Sequence, residues 1–221
     1  MDFAETLRNA VMVLVPMILS LTVHEYAHAR SAYALGDDTA AGMGRMTLNP
    51  IAHLDIFGTV ILPILCVVSG APFFGWAKPV PVNPVRFSRR VSMRTGVLLT
   101  AAAGPASNIV FALVMGIALN LLHGFGMLNA AVGQLLVTTF MINIVLAVFN
   151  LIPVPPLDGS RVLSGLLPRG LAERYAYLER NPIFIILAFT VLITQAGRLL
   201  RAPVEMLSHG LLTLTGNGWL F

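Results

Sequence analysis

The sequence predicts an all-α polytopic membrane protein, on the strength of composition, recurring apolar segments and short polar connections. Of its 221 residues, 57% are hydrophobic and 11% charged, against about a quarter charged in a soluble domain. Water is therefore not its main solvent. Stretches approaching the roughly 20 apolar residues of a spanning helix recur along the whole chain, at 9–30, 56–70, 96–121, 131–153 and 182–197, with a weaker one near 203–221. No repeat, low-complexity run or separate soluble unit divides them, so 1–221 reads as a single membrane-embedded domain.

The first segment has one competing reading, a secretory signal peptide, because Val11–Val23 resembles an apolar h-region and Ala27-His28-Ala29 a cleavage site. Asp2 and Glu5 outnumber Arg8 where a positive n-region belongs, and His24-Glu25 interrupts the site, so a retained helix is expected. Gly36-Asp37-Asp38, Gly42 and Gly44, followed by Met46-Thr47-Leu48, supply turn and strand residues for a small hairpin. Segment 56–70 contains Pro63, ends at Gly70 and is short for a span, which suits a re-entrant or tilted piece. Pro72, Pro79, Pro81 and Pro84 then forbid a continuous helix from Ala71 to Arg94, so that stretch is expected to be extended.

The short loops orient the chain through their basic residues. With the N-terminus outside, 9–30 crossing inward, 56–70 dipping in and returning, and 96–121 and 131–153 forming an out-and-back pair, 11 of the 14 Lys and Arg residues fall on the cytoplasmic side. The 122–130 loop holds none. This dispersed basicity reads as membrane orientation, and nucleic acid is not an expected partner. A single cysteine, Cys66, excludes an intramolecular disulfide.

The chemistry starts at His24-Glu25-Tyr26-Ala27-His28, an HExxH sequence inside an apolar segment. At helical pitch His24 and His28 share one face and can reach one metal ion, with Glu25 beside it as a base. The competing reading is a polar cluster that only joins helices, but burying three such groups in a membrane is costly without a purpose. Catalytic zinc needs a third protein ligand. Asp158 is the best candidate, because it follows the inner end of the 131–153 segment at the depth of His24, and Pro153, Pro155 and Pro156 break the element before it. An interfacial helix cap is the plainer alternative for Asp158.

HEYAH, Ala103-Gly104-Pro105-Ala106-Ser107-Asn108 and Asn150-Leu151-Ile152-Pro153-Val154-Pro155-Pro156-Leu157-Asp158-Gly159 occur in this order, and together they resemble the site-2 protease family of intramembrane zinc metalloproteases (peptidase family M50). The resemblance covers about residues 10–165 and is similar to short members without PDZ or CBS domains. It implies metal ligands at His24, His28 and Asp158, a general base at Glu25, a substrate-contacting asparagine at Asn150 and one Zn²⁺ per chain. It further implies a three-helix catalytic core, within about 9–165, with extra helices over about 166–221. Phe74–Val80 looks like the family's membrane-associated β-hairpin, whose edge strand would pair with unwound substrate. The 56–70 insertion departs from compact members. Asn150 could also serve as an oxyanion donor or as a helix-packing amide.

The expected activity is hydrolysis of peptide bonds in or near transmembrane segments of membrane proteins, in a bacterial-type cytoplasmic membrane with the site toward the cytoplasm. A membrane metal-ion transporter would explain the ligands but not the adjacent base, and a catalytically silent scaffold would not need an intact HExxH. His53 and Asp55 could orient the site or serve only the loop. Oligomeric state is not legible.

Overall fold

A computed structural model describes residues 3–69 and 75–220. Its helices are α1 (Phe3–Ala34), α2 (Thr39–Gly42), α3 (Leu62–Ser69), α4 (Met93–Gly124), α5 (Ala130–Asn150), α6 (Asp158–Leu166), α7 (Arg169–Glu179) and α8 (Pro182–Leu214), with a π turn at Ile56–Ile61 leading into α3. α1, α4 and α5 are long and apolar enough to cross a membrane. Each touches the other two, α6 packs on α4, and α8 lies against α5 and α4.

Helix starts follow from side-chain oxygens that accept orphan backbone N–H groups: Ser92 from Thr95, Asn129 from Val132, and Asn181 from Ile183 and Phe184. α4 can occupy the centre because its buried face is small. Gly96, Thr100, Gly104, Asn108, Ala112 and Gly116 recur every four residues, and all are buried. Such a stripe lets backbones approach closely where lipid gives no hydrophobic push between helices. Leu7, Val11, Val15 and Leu19 repeat at the same spacing on α1 but are exposed. Apolar outside and polar inside is the arrangement expected of a chain solvated by lipid.

The expected β-hairpin does not form: no strand occurs among the described residues. The region 36–50 holds α2 and turns. Phe74 lies outside the described residues, and 75–83 runs extended without a strand partner. Pro79 and Pro81 lack N–H groups, and the other groups bond elsewhere: Trp76 N–H to Gly58 O (3.0 Å) and Lys78 N–H to His53 O (2.9 Å). The two expected C-terminal segments, 182–197 and 203–221, are joined by α8 through Leu214, with Pro203 inside it and Arg201 paired to Glu205 one turn on at 2.9 Å. The π turn and α3 have six and eight residues. At about 1.5 Å per residue they span about 20 Å, short of a hydrocarbon core of about 30 Å.

Candidate metal centre

α1 carries His24, Glu25 and His28 near its C-terminal end, all under 9% exposed. α5 descends to Asn150, and the chain then turns back through 151–157 so that Asp158 opens α6. Gly159 makes this turn possible. A Cβ there would lie 2.2 Å from the Leu151 carbonyl oxygen. The result is a triangle of ligand atoms: His24 Nε2 lies 3.0 Å from His28 Nε2, and Asp158 Oδ2 lies 3.1 and 3.2 Å from the two nitrogens. Ligands on a tetrahedral zinc with bonds of about 2.0 Å stand about 3.3 Å apart. The three atoms already have that spacing.

The hydrogen-bond partners of the two rings suit the same role. His28 Nδ1 sits 2.7 Å from the Thr100 carbonyl oxygen, which can only accept, so Nδ1 bears the proton and Nε2 presents its lone pair. His24 Nδ1 faces Asn108 Oδ1 at 2.7 Å and is read the same way. In their neutral forms the two rings then turn imidazole lone pairs toward the same point as a carboxylate oxygen, a donor set that a shared cation would hold together. The residues therefore fit a zinc ion. Gly104 makes room for them, since a Cβ on α4 would lie 2.4 Å from His28 Nε2 and 2.6 Å from His24 Cε1.

His24, Glu25, His28, Asn150 and Asp158 all line one cavity of about 760 Å³, roofed by the extended 75–84 segment. Glu25 Oε2 accepts from the Val80 N–H at 2.8 Å, which fixes the carboxylate's orientation. The roof is pinned along its length: Thr59 Oγ1 donates to Trp76 O (2.8 Å), Arg45 Nη2 to Lys78 O (2.6 Å), and the Asn83 N–H to Asp37 Oδ2 (2.6 Å). Burial pushes the Asp37 carboxyl up, but hydrogen bonds from Thr39 and Asn83 outweigh it and hold the group below its usual value. Asn150 Nδ2 donates to Leu146 O at 3.0 Å, so its amide rests against its own helix.

His53 and Asp55 do not line this cavity. His53 Nε2 bonds Thr47 O at 2.8 Å, and Asp55 accepts the Gly58 N–H at 2.7 Å to start the π turn. Sequence reasoning missed the Thr100 carbonyl and the Val80 N–H, backbone groups that carry no residue signature. It also missed Asn143 and Ser20, which announce themselves as polar side chains inside apolar helices.

Comparison with known proteins points the same way. The profile described as Peptidase family M50 matches residues 125–193. The chain is 40% identical over 191 residues to the candidate zinc metalloprotease YwhC of Bacillus subtilis, covering 81% of each chain. It is 30% identical over 182 residues to the candidate zinc metalloprotease Rip2 of Mycobacterium tuberculosis (strain Erdman), covering 79% of this chain and 67% of that one. It is 31% identical over 103 residues to the zinc metalloprotease MJ0392 of Methanocaldococcus jannaschii, covering 47% and 28%. No solved structure matches.

Proposed function

The chain belongs to peptidase family M50, the site-2 protease family of zinc metalloproteases, and on that premise we propose that it cleaves peptide bonds in or near transmembrane segments of other membrane proteins. The supporting observation is where the converging triangle lies: beside Glu25, in a cavity walled by α1, α4 and α5, all long and apolar enough to cross a bilayer. In this reading His24, His28 and Asp158 are the protein ligands, Glu25 is the general base and Asn150 contacts substrate, within one domain spanning 1–221.

Zinc, when bound, supplies Lewis acidity and an activated water at neutral pH. The chain's own residues do the rest. Glu25 takes the water's proton on its carboxylate and passes it to the leaving amine, held in orientation by the Val80 N–H. Asn150, by exchanging its bond to Leu146 O for one to substrate, would hold the scissile strand. The 75–83 segment, with its N–H groups at 76, 78, 80 and 83 already committed, is a wall of the substrate channel in this reading.

The test is cleavage of a panel of single-span membrane proteins by purified protein reconstituted in bilayers. Products with new termini within or beside the transmembrane segments, lost on chelation and restored by zinc, are expected. Cleavage confined to the water-soluble portions of these proteins, away from their transmembrane segments, would sink the proposal.

Orientation is a separate proposal, motivated by the cytoplasmic bias of the basic residues: the site opens toward the cytoplasm of a bacterial-type cell membrane. In a Cys66→Ser background, Ser88→Cys should resist a membrane-impermeant thiol reagent added outside intact cells and react in inverted vesicles. Met127→Cys, in the loop between α4 and α5, should do the reverse. The opposite labelling pattern would invert the topology.

A further inference from the structure

α5 has the highest mean hydropathy of the three spanning helices, yet Asn143 sits in its middle at 0% exposure, as do Ser20 on α1 and Asn108 on α4. Inside a membrane such groups must satisfy one another, and here the bonds have a direction. Ser20 Oγ donates its only proton to the Pro16 carbonyl at 2.7 Å, so toward Asn143 it can only accept. Asn143 Nδ2 accordingly donates to Ser20 Oγ and to the Thr139 carbonyl, each at 2.8 Å. Its Oδ1 must therefore face Asn108, where it accepts from Nδ2 at 2.8 Å, and the same Nδ2 reaches the Ser20 carbonyl at 3.3 Å. That leaves Asn108 Oδ1 facing His24 Nδ1 at 2.7 Å. An oxygen there requires the proton on Nδ1.

We propose that Asn143 is a positioning residue for the metal centre: through the amide orientation of Asn108 it puts the His24 proton on Nδ1 and leaves Nε2 bare for zinc. The relay ends on carbonyls that cannot donate, so the orientation of both amides follows from chemistry alone. Without the Asn143 oxygen, only the longer 3.3 Å contact to the Ser20 carbonyl still holds the Asn108 amide in this orientation, and the amide can turn over. Its Nδ2 would then donate to His24 Nδ1 and drive the proton onto Nε2, into the triangle shared with His28 and Asp158. The bond from His28 to the Thr100 carbonyl needs no such relay. His24 alone depends on α5, and so the metal site depends on the docking of all three spanning helices.

The inference rests on His24 as a ligand, but its first test does not use the metal. Nitrogen-15 spectra of zinc-free wild-type protein labelled in the histidine rings, with His24 identified by its loss in His24→Gln, should show the neutral ring protonated at Nδ1. A ring carrying its proton on Nε2 and none on Nδ1 would overturn the relay whether or not zinc binds there. The second test uses Asn143→Leu, which keeps the branched shape of the side chain and removes the amide. Its zinc affinity, measured against a chromophoric chelator, should fall about 10–100-fold, and the His24 signal should split between tautomers. Asn108→Asp combined with Asn143→Leu should recover most of that loss, because either carboxylate oxygen accepts the Nδ1 proton and orientation no longer matters. A helix-packing role alone would leave the tautomer unchanged and gain nothing from the second substitution. Either of those results refutes the proposal.

Discussion

Asp158→Ala protein is expected to lose stoichiometric zinc, falling from about one ion per wild-type chain to a trace after passage over a desalting column. His24 and His28 would still offer two lone pairs on one face of α1, but two imidazoles leave a zinc ion half-coordinated. Partners that merely orient a ligand are each worth about 10–100-fold in affinity, so deleting a ligand should cost at least the upper end of that range. Asp158 begins α6, and its carboxylate pairs with His24 and His28 of α1, so the substitution leaves the rest of α6 to pack on α4. Retention of the α1, α4 and α5 assembly can be checked by thermal melting in detergent. Undiminished zinc in a folded Asp158→Ala protein would remove Asp158 from the ligand set and reopen its reading as a helix cap.

Much of this centre was legible in the sequence, for a physical reason. HExxH brings its two imidazoles to one face by helical pitch alone, and pitch is local. Asp158 needed a second argument, the matching depths of two helices, which holds only once a topology is assumed. Gly104 stands out in the sequence only as part of the GPxxN motif, yet what approaches it is the pair of imidazoles of His24 and His28 rather than a bare helix backbone. Asn143 was overlooked because apolar periodicity treats a lone amide in a hydrophobic run as an interruption, while its role depends on residues 35 and 123 positions away. The hairpin failed for the converse reason. A proline-rich segment can be extended without pairing, and side chains and loops from elsewhere captured its backbone groups. The apolar segments 182–197 and 203–221 read as separate, but α8 continues from one into the other through Arg198 and Arg201.

Glu25→Gln is the substitution that separates chemistry from fold, and it should retain zinc while losing peptide cleavage by about 10²–10⁴. Gln is nearly isosteric, and its amide oxygen can still accept the Val80 N–H that Glu25 Oε2 accepts at 2.8 Å, so the roof over the cavity has no reason to move. His24, His28 and Asp158 are untouched. What disappears is a group able to take a proton at neutral pH. A metal-ion transporter with these ligands would keep its flux in the variant, and a silent scaffold would show no cleavage to lose. The comparison has to be made on folded, zinc-loaded protein in a bilayer, because metal loss would imitate loss of the base. A variant that binds zinc and cuts a transmembrane substrate at the wild-type rate would show that the proton goes elsewhere and that Glu25 is not the base.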